Sequence, residues 1–190
     1  MRLVTRSDFD GLACGALLKE AGVIDHWKFA HPKDLQDGLV EVNEDDCLAN
    51  VPYVEGCGLW FDHHSSEHER LELAGKYKGE SRTAPSCARI IYEYYGGKER
   101  FPQFDDMMEA VDKVDSGHLT IDEVMNPKGW ILIGFLVDPA ATCLNASGDT
   151  IASMMVTRLV EGKDWLEKQI YKENSMGNTA AAQAAIAETK

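Results

Sequence analysis

"CGLWFDHHSSEHE", residues 57–69, decides the fold. A short apolar run, Leu59-Trp60-Phe61, meets Asp62, His63 and His64, and a serine pair then opens an acidic stretch. Two structures compete for it. In one, "GLWF" is a buried strand that delivers Asp62-His63-His64 to its carboxyl end, where open α/β sheets bind ligands. In the other, His64-x-x-Glu67-His68 is a helical zinc-peptidase signature, with both histidines on one helix face. That signature needs His64 inside a helix. Ser65 or Ser66 is the natural N-cap for a helix in "SEHERLELAG", which places His64 outside it and breaks the four-residue register. The strand-end reading follows, and His68 reads as a solvated surface residue.

Working outward, the chain alternates strand and helix. "RLVT" at 2–5 predicts a first strand, and "DGLACGALLKEAG" predicts a helix with apolar residues at 12, 13, 16, 17 and 21, closed by Gly22. "VIDHWKFAHP" offers a second strand ended by Pro32, "KDLQDG" leaves room for one helical turn, and "DCLANV" at 46–51 is a further buried strand. This alternation predicts an α/β fold with an open, mainly parallel sheet flanked by helices. From residue 84 the texture turns helical. "APSCARIIYEYYGG" has Pro85 near its start and a Gly-Gly stop, while "FDDMMEAVDKVDSG" and "ASMMVTRLVEGKDWLEKQIY" follow with helical spacing. The organisation expected is one domain over 1–138, a mostly helical extension over 139–175 and an Ala-rich tail over 176–190, read as a frayed helix or disordered end.

With 190 residues, one α/β domain of ordinary size fits and two full domains do not. The formal charge of -13 repels phosphate backbones on average, so long nucleic acid is disfavoured as a partner. Five cysteines without a C-x-x-C spacing suit free thiols in a reducing cytoplasm. Acids by residue 8 argue against a signal peptide, and no apolar run approaches the roughly 18 residues of a membrane span. "GWILIGFLV" at 129–137 is therefore a core segment.

Three stretches carry chemistry. Asp8-Phe9-Asp10-Gly11 sits where the first strand yields to the first helix. Asp10 alone reads as an N-cap, but that leaves Asp8 unexplained, since carboxylates two residues apart repel unless a cation or proton lies between them. Asp62, His63 and His64 follow a strand of the same sheet, so parallel pairing brings them to the same end as Asp8 and Asp10. In "AVDKVDSGH", Asp112 and Asp115 share a helix face, and Asp115 falls near a helix carboxyl terminus, where the dipole disfavours an anion and a bound cation would offset that.

"RSDFDG", "FDHH" and "VDKVDSG", in this order, resemble the DHH phosphoesterase superfamily, and "NVPYVEGCGLWFDHHSSE" and "TAPSCARIIYEYYGG" look like its bacterial exopolyphosphatase-related branch. The resemblance spans residues 1–138. It implies a metal-dependent hydrolase of phosphoesters or phosphoanhydrides with one or two Mn²⁺ or Mg²⁺ ions, acting on a phosphate-containing small molecule or polyphosphate. Carried over, Asp8, Asp10, His63 and Asp115 are metal ligands, His64 faces phosphate or metal, and Asp62 supports the histidines from behind. Activation of water and neutralisation of phosphate charge for in-line attack follow.

Several positions depart from the pattern. Val4 stands where many relatives carry a histidine, and Asn50 ends a strand where a metal-bridging aspartate is usual, so a second ion is expected to bind weakly. The glycine-rich, histidine-containing substrate motif of a further domain is missing, and no basic residue occurs in "PAATCLNASGDTIASMM". Arg6 and Arg82 are left as candidate phosphate contacts. Val4 and Asn50 also keep open an alternative, a degenerate DHH module that binds metal or a phosphate ligand without turnover. The sequence does not choose the scissile bond or the oligomeric state.

Overall fold

The computed structural model describes residues 1–65 and 77–139. Five strands, β1 (Arg2–Thr5), β2 (His26–Phe29), β3 (Asp46–Ala49), β4 (Leu59–Asp62) and β5 (Gly79–Ser81), form one sheet in the order β2-β1-β3-β4-β5, with every pair parallel. Helices α1 (Phe9–Glu20), α2 (Pro32–Gln36), α3 (Cys87–Tyr94), α4 (Gly97–Arg100), α5 (Asp105–Asp115) and α6 (Ile121–Met125) follow in chain order, and α7 occupies 129–139. The α/β class expected from the alternating pattern is the one observed. The expected extension over 139–175 and the tail over 176–190 lie outside the described residues, save for position 139.

Strand periodicity divides the core in two. Leu3 and Phe61 face the cluster under α1, α3 and α5, while their neighbours Val4 and Trp60 face a second cluster with Leu35, Leu48 and Val51. Both sheet faces are thus covered, which is why the central strands read as continuous apolar runs rather than alternating ones. Val4 is fully buried in this second cluster. Each such side chain contributes about 1.5–3 kcal/mol by leaving water. β2 differs: it is an edge strand, exposed along its whole length.

Two local expectations change. The N-cap of α1 is Asp8, whose side chain accepts from the Gly11 amide at 2.8 Å, and Asp10 is the second residue of the helix, in its first turn and buried. Asp8 has the extended backbone that a cap requires, which frees Asp10 for other partners. β5 was not foreseen, because three half-buried residues at a sheet edge carry no periodic signal. His64 lies outside any helix and Ser65 is helical, as the strand-end reading requires, and Glu67 and His68 lie outside the described residues.

Candidate metal and phosphate site

The β1–α1 turn is the tightest part of the site. A Cβ on Gly11 would lie 2.2 Å from the Arg6 carbonyl oxygen and 2.8 Å from Thr5 Oγ1, so only glycine lets the helix start this close to the strand. The geometry pins Asp8 and Asp10 at the carboxyl end of β1. Asp10 then reaches a second helix: its carboxylate accepts from the Cys87 amide at 2.9 Å and the Ala88 amide at 2.8 Å, the free N–H groups opening α3. These donors are 77 and 78 residues away in sequence.

Opposite Asp10 stands His63, just past β4. Its Nδ1 lies 3.2 Å from the Ala84 carbonyl, which can only accept, so Nδ1 carries a hydrogen and, in the neutral imidazole, Nε2 presents a lone pair. That lone pair is 3.4 Å from Asp115 Oδ2 and 3.9 Å from Asp10 Oδ2. His63 Nε2 is buried with no hydrogen-bond partner among the described residues. Burial, together with the neighbouring Asp115 charge, pushes the Asp10 carboxyl well above its ordinary range, and two backbone donors oppose this. Burial raises Asp115 too, against the pull of His63.

One donor atom each from Asp10, His63 and Asp115 lies within 4.8 Å of the others. Two carboxylates facing an imidazole lone pair call for a cation between them, and this mixed oxygen and nitrogen set fits a divalent ion such as Mn²⁺. Asn50 is at the rim of this group. It takes the left-handed backbone, φ 56°, directly after β3, and its Nδ2 donates to Asp8 Oδ1 at 3.1 Å. Its Oδ1 is buried and unpartnered among the described residues. The turn is held from below by Trp60, whose indole N–H donates to the Val51 carbonyl at 2.9 Å.

Asp62 and His64 form a separate pair. His64 Nδ1 is 2.9 Å from Asp62 Oδ1, and this bond to a buried carboxylate raises the imidazole pKa. A cleft of about 240 Å³ opens beside them, lined by Arg6, Gln36, Asn50 and His64 among others. Arg6 Nε pairs with Asp8 Oδ2 at 2.9 Å at its edge. Arg82 is not part of this lining. Its guanidinium is shared between Glu80, at 2.6 Å, and Glu93, so two carboxylates already neutralise it. Of the two arginines singled out in the sequence, the structure brings only Arg6 to the crevice.

No family model matches the chain, and no curated protein matches it. A solved structure, the pGpG-specific phosphodiesterase PggH from Vibrio cholerae, matches with 48% identity and a TM-score of 0.64 over 73% of this chain. The match spans 44% of that longer chain, so this protein corresponds to less than half of it. A parallel sheet matched at this identity, with "RSDFDG", "FDHH" and "VDKVDSG" converging at its carboxyl end, supports the resemblance to the DHH superfamily.

Around this site, three contributors escape sequence reading. The first is the opening turn of α3, which supplies both backbone donors to Asp10. The second is a clamp: Asp112 accepts from Ser86 Oγ at 2.7 Å and from Arg89 Nε at 2.8 Å, tying α5 to α3 one turn before Asp115. Asp112 and Asp115 share a motif but divide the labour, one fastening the helix and the other facing His63. The third is Asp138, whose Oδ1 accepts from the Phe9 amide at 2.7 Å. Burial raises its pKa. With Asp8, which accepts from Gly11, it satisfies two of the free amides of α1. No local pattern announces these contacts, since each joins segments far apart in the chain.

Proposed function

We propose that the chain carries a DHH domain, a divalent-metal-dependent phosphodiesterase acting on small phosphate-containing molecules, with short linear dinucleotides such as pGpG ahead of polyphosphate as substrates. The observation that carries this is the Asp10, His63 and Asp115 group, in which Asp10 is buried and His63 Nε2 is buried without a hydrogen-bond partner among the described residues, beside a cleft that holds a guanidinium and an imidazole. Asp10, His63 and Asp115 would hold Mn²⁺ or Mg²⁺, which supplies Lewis-acid activation of water and charge neutralisation when bound. The chain's own groups do the rest. The α3 amides fix Asp10, the Ala84 carbonyl fixes the His63 tautomer, and Asp62 keeps His64 biased toward the protonated donor that a phosphate oxygen accepts. Arg6 adds fixed positive charge at the mouth. Free thiols at Cys14, Cys47, Cys57 and Cys87 support a cytoplasmic setting, and among the described residues no helix is long and apolar enough to cross a membrane.

A second reading is a binding module without turnover. It is favoured by Asn50, a neutral amide committed to Asp8, and by Val4, which packs in the core and offers no ligand. The test is hydrolysis of pGpG and of polyphosphate with Mn²⁺ by the full chain, alongside Asp10→Ala and His63→Ala. We expect wild-type turnover of pGpG, and losses beyond the roughly ten- to hundredfold carried by outer-sphere partners in each variant. Absence of turnover with ion binding intact supports the module instead. Polyphosphate cleaved faster than pGpG would restore the exopolyphosphatase-like substrate.

A further inference from the structure

The cleft beside the site has two kinds of wall. Arg6, Asn50 and His64 bring charge and polar atoms from the ends of β1, β3 and β4. Pro32, Val51 and Pro52 bring apolar surface, with the Gln36 amide set among them at the end of α2. We propose that this second part receives the terminal purine nucleoside of the substrate, with Gln36 reading the edge of its base; the inference rests on the phosphodiesterase reading of the neighbouring site.

Four observations support it. Gln36 is exposed and makes no side-chain hydrogen bond to another described residue, so both its donor and its acceptor are available. An amide matches the paired donor and acceptor of a purine edge. The half-buried Pro32 ring, backed by the buried Val51 and Pro52, offers apolar surface that a base can contact and that an inorganic phosphate chain, anionic along its whole length, cannot use. The volume, about 240 Å³, is below that of typical ligand pockets, which run from roughly 300 Å³ upward, so it suits one terminal unit rather than a polymer. Asn50, whose Oδ1 is buried and unpartnered among the described residues, belongs to the polar wall of the same cleft.

The decisive experiment is equilibrium binding of pGpG and of inorganic tripolyphosphate to the full chain, with Ca²⁺ as the cation, for wild type and Gln36→Ala. Wild type should bind pGpG at least about tenfold more tightly than tripolyphosphate, and Gln36→Ala should weaken pGpG about tenfold while moving tripolyphosphate less than about twofold. An unchanged pGpG affinity, an equal loss for both ligands, or a wild type that binds neither would overturn the subsite. Gln36 is exposed and outside both core clusters, so the variant tests recognition rather than folding. Selective binding of pGpG without hydrolysis in Mn²⁺ would remove the phosphodiesterase reading and leave the subsite standing.

Discussion

The two ends of the sheet bury the same side chain and treat it in opposite ways. At the amino end, Asp46 is 1% exposed and fully engaged: Arg2 donates through Nε at 2.7 Å and Nη2 at 2.9 Å, and the Asn43 amide adds a third bond at 2.8 Å. At the carboxyl end, Asp10 is 2% exposed and faces another carboxylate, Asp115, and an imidazole, with two backbone amides and the Cys14 thiol as donors and no arginine. The first end carries its counter-charge in the chain. The second leaves that role to something the chain binds. A buried acid with a matched arginine contributes to the fold, whereas a buried acid beside a second acid is held at a cost that function explains.

This contrast can be broken by mutation. The largest effect should come from Asp46→Asn, which leaves Arg2 without its carboxylate and should destabilise the protein by about 3 kcal/mol, read as a lower denaturation midpoint with an unchanged slope. Asp115→Asn should act with the opposite sign. Removing the charge that repels Asp10 should raise the melting temperature of the metal-free protein by a few degrees, on the order of 1 kcal/mol, while Mn²⁺ affinity falls. A loss of stability in Asp115→Asn without metal would mean that the two ends do not differ in kind.

A pH series sharpens the same point. Asp10 and Asp115 have folded pKa values raised above the unfolded ones, so the folded state binds more protons than the unfolded state between them. Their contribution to stability is therefore present at low pH and is lost as pH rises from about 4 through the raised values. The wild-type melting temperature relative to that of Asp115→Asn should fall over this window without metal, and saturating Mn²⁺ should remove the difference. A flat difference would break the comparison.

The smallest effect is expected for Asn50→Asp. Its carboxylate would meet Asp8 Oδ1, now 3.1 Å from the amide nitrogen, so the variant should gain from a second equivalent of Mn²⁺ and lose slightly without it. Titration calorimetry showing one unchanged site would remove Asn50 from any role in ion binding.

How much of this the sequence revealed depended on range. β1, β3 and β4 were legible because buried parallel strands are short apolar runs, and "FDHH" was placed correctly because two serines mark where the next helix starts. The assignment of the α1 cap to Asp10 failed because Asp8 and Asp10 are equally good caps in isolation. What separates them is the amide pair of Cys87 and Ala88, which only the fold supplies. Arg82 looked as available as Arg6. Its partners, Glu80 on β5 and Glu93 on α3, come together through a strand too short to foresee. Long-range pairing, rather than residue type, was the missing information.

The left-handed backbone at Asn50 has one more consequence, for how such a site changes over time. Few side chains tolerate that conformation, and asparagine and aspartate are among those that do. A codon for one becomes a codon for the other by a single base change. The position can thus switch between amide and carboxylate with its turn intact, so a lineage could alter the charge of this pocket without first passing through a misshapen protein.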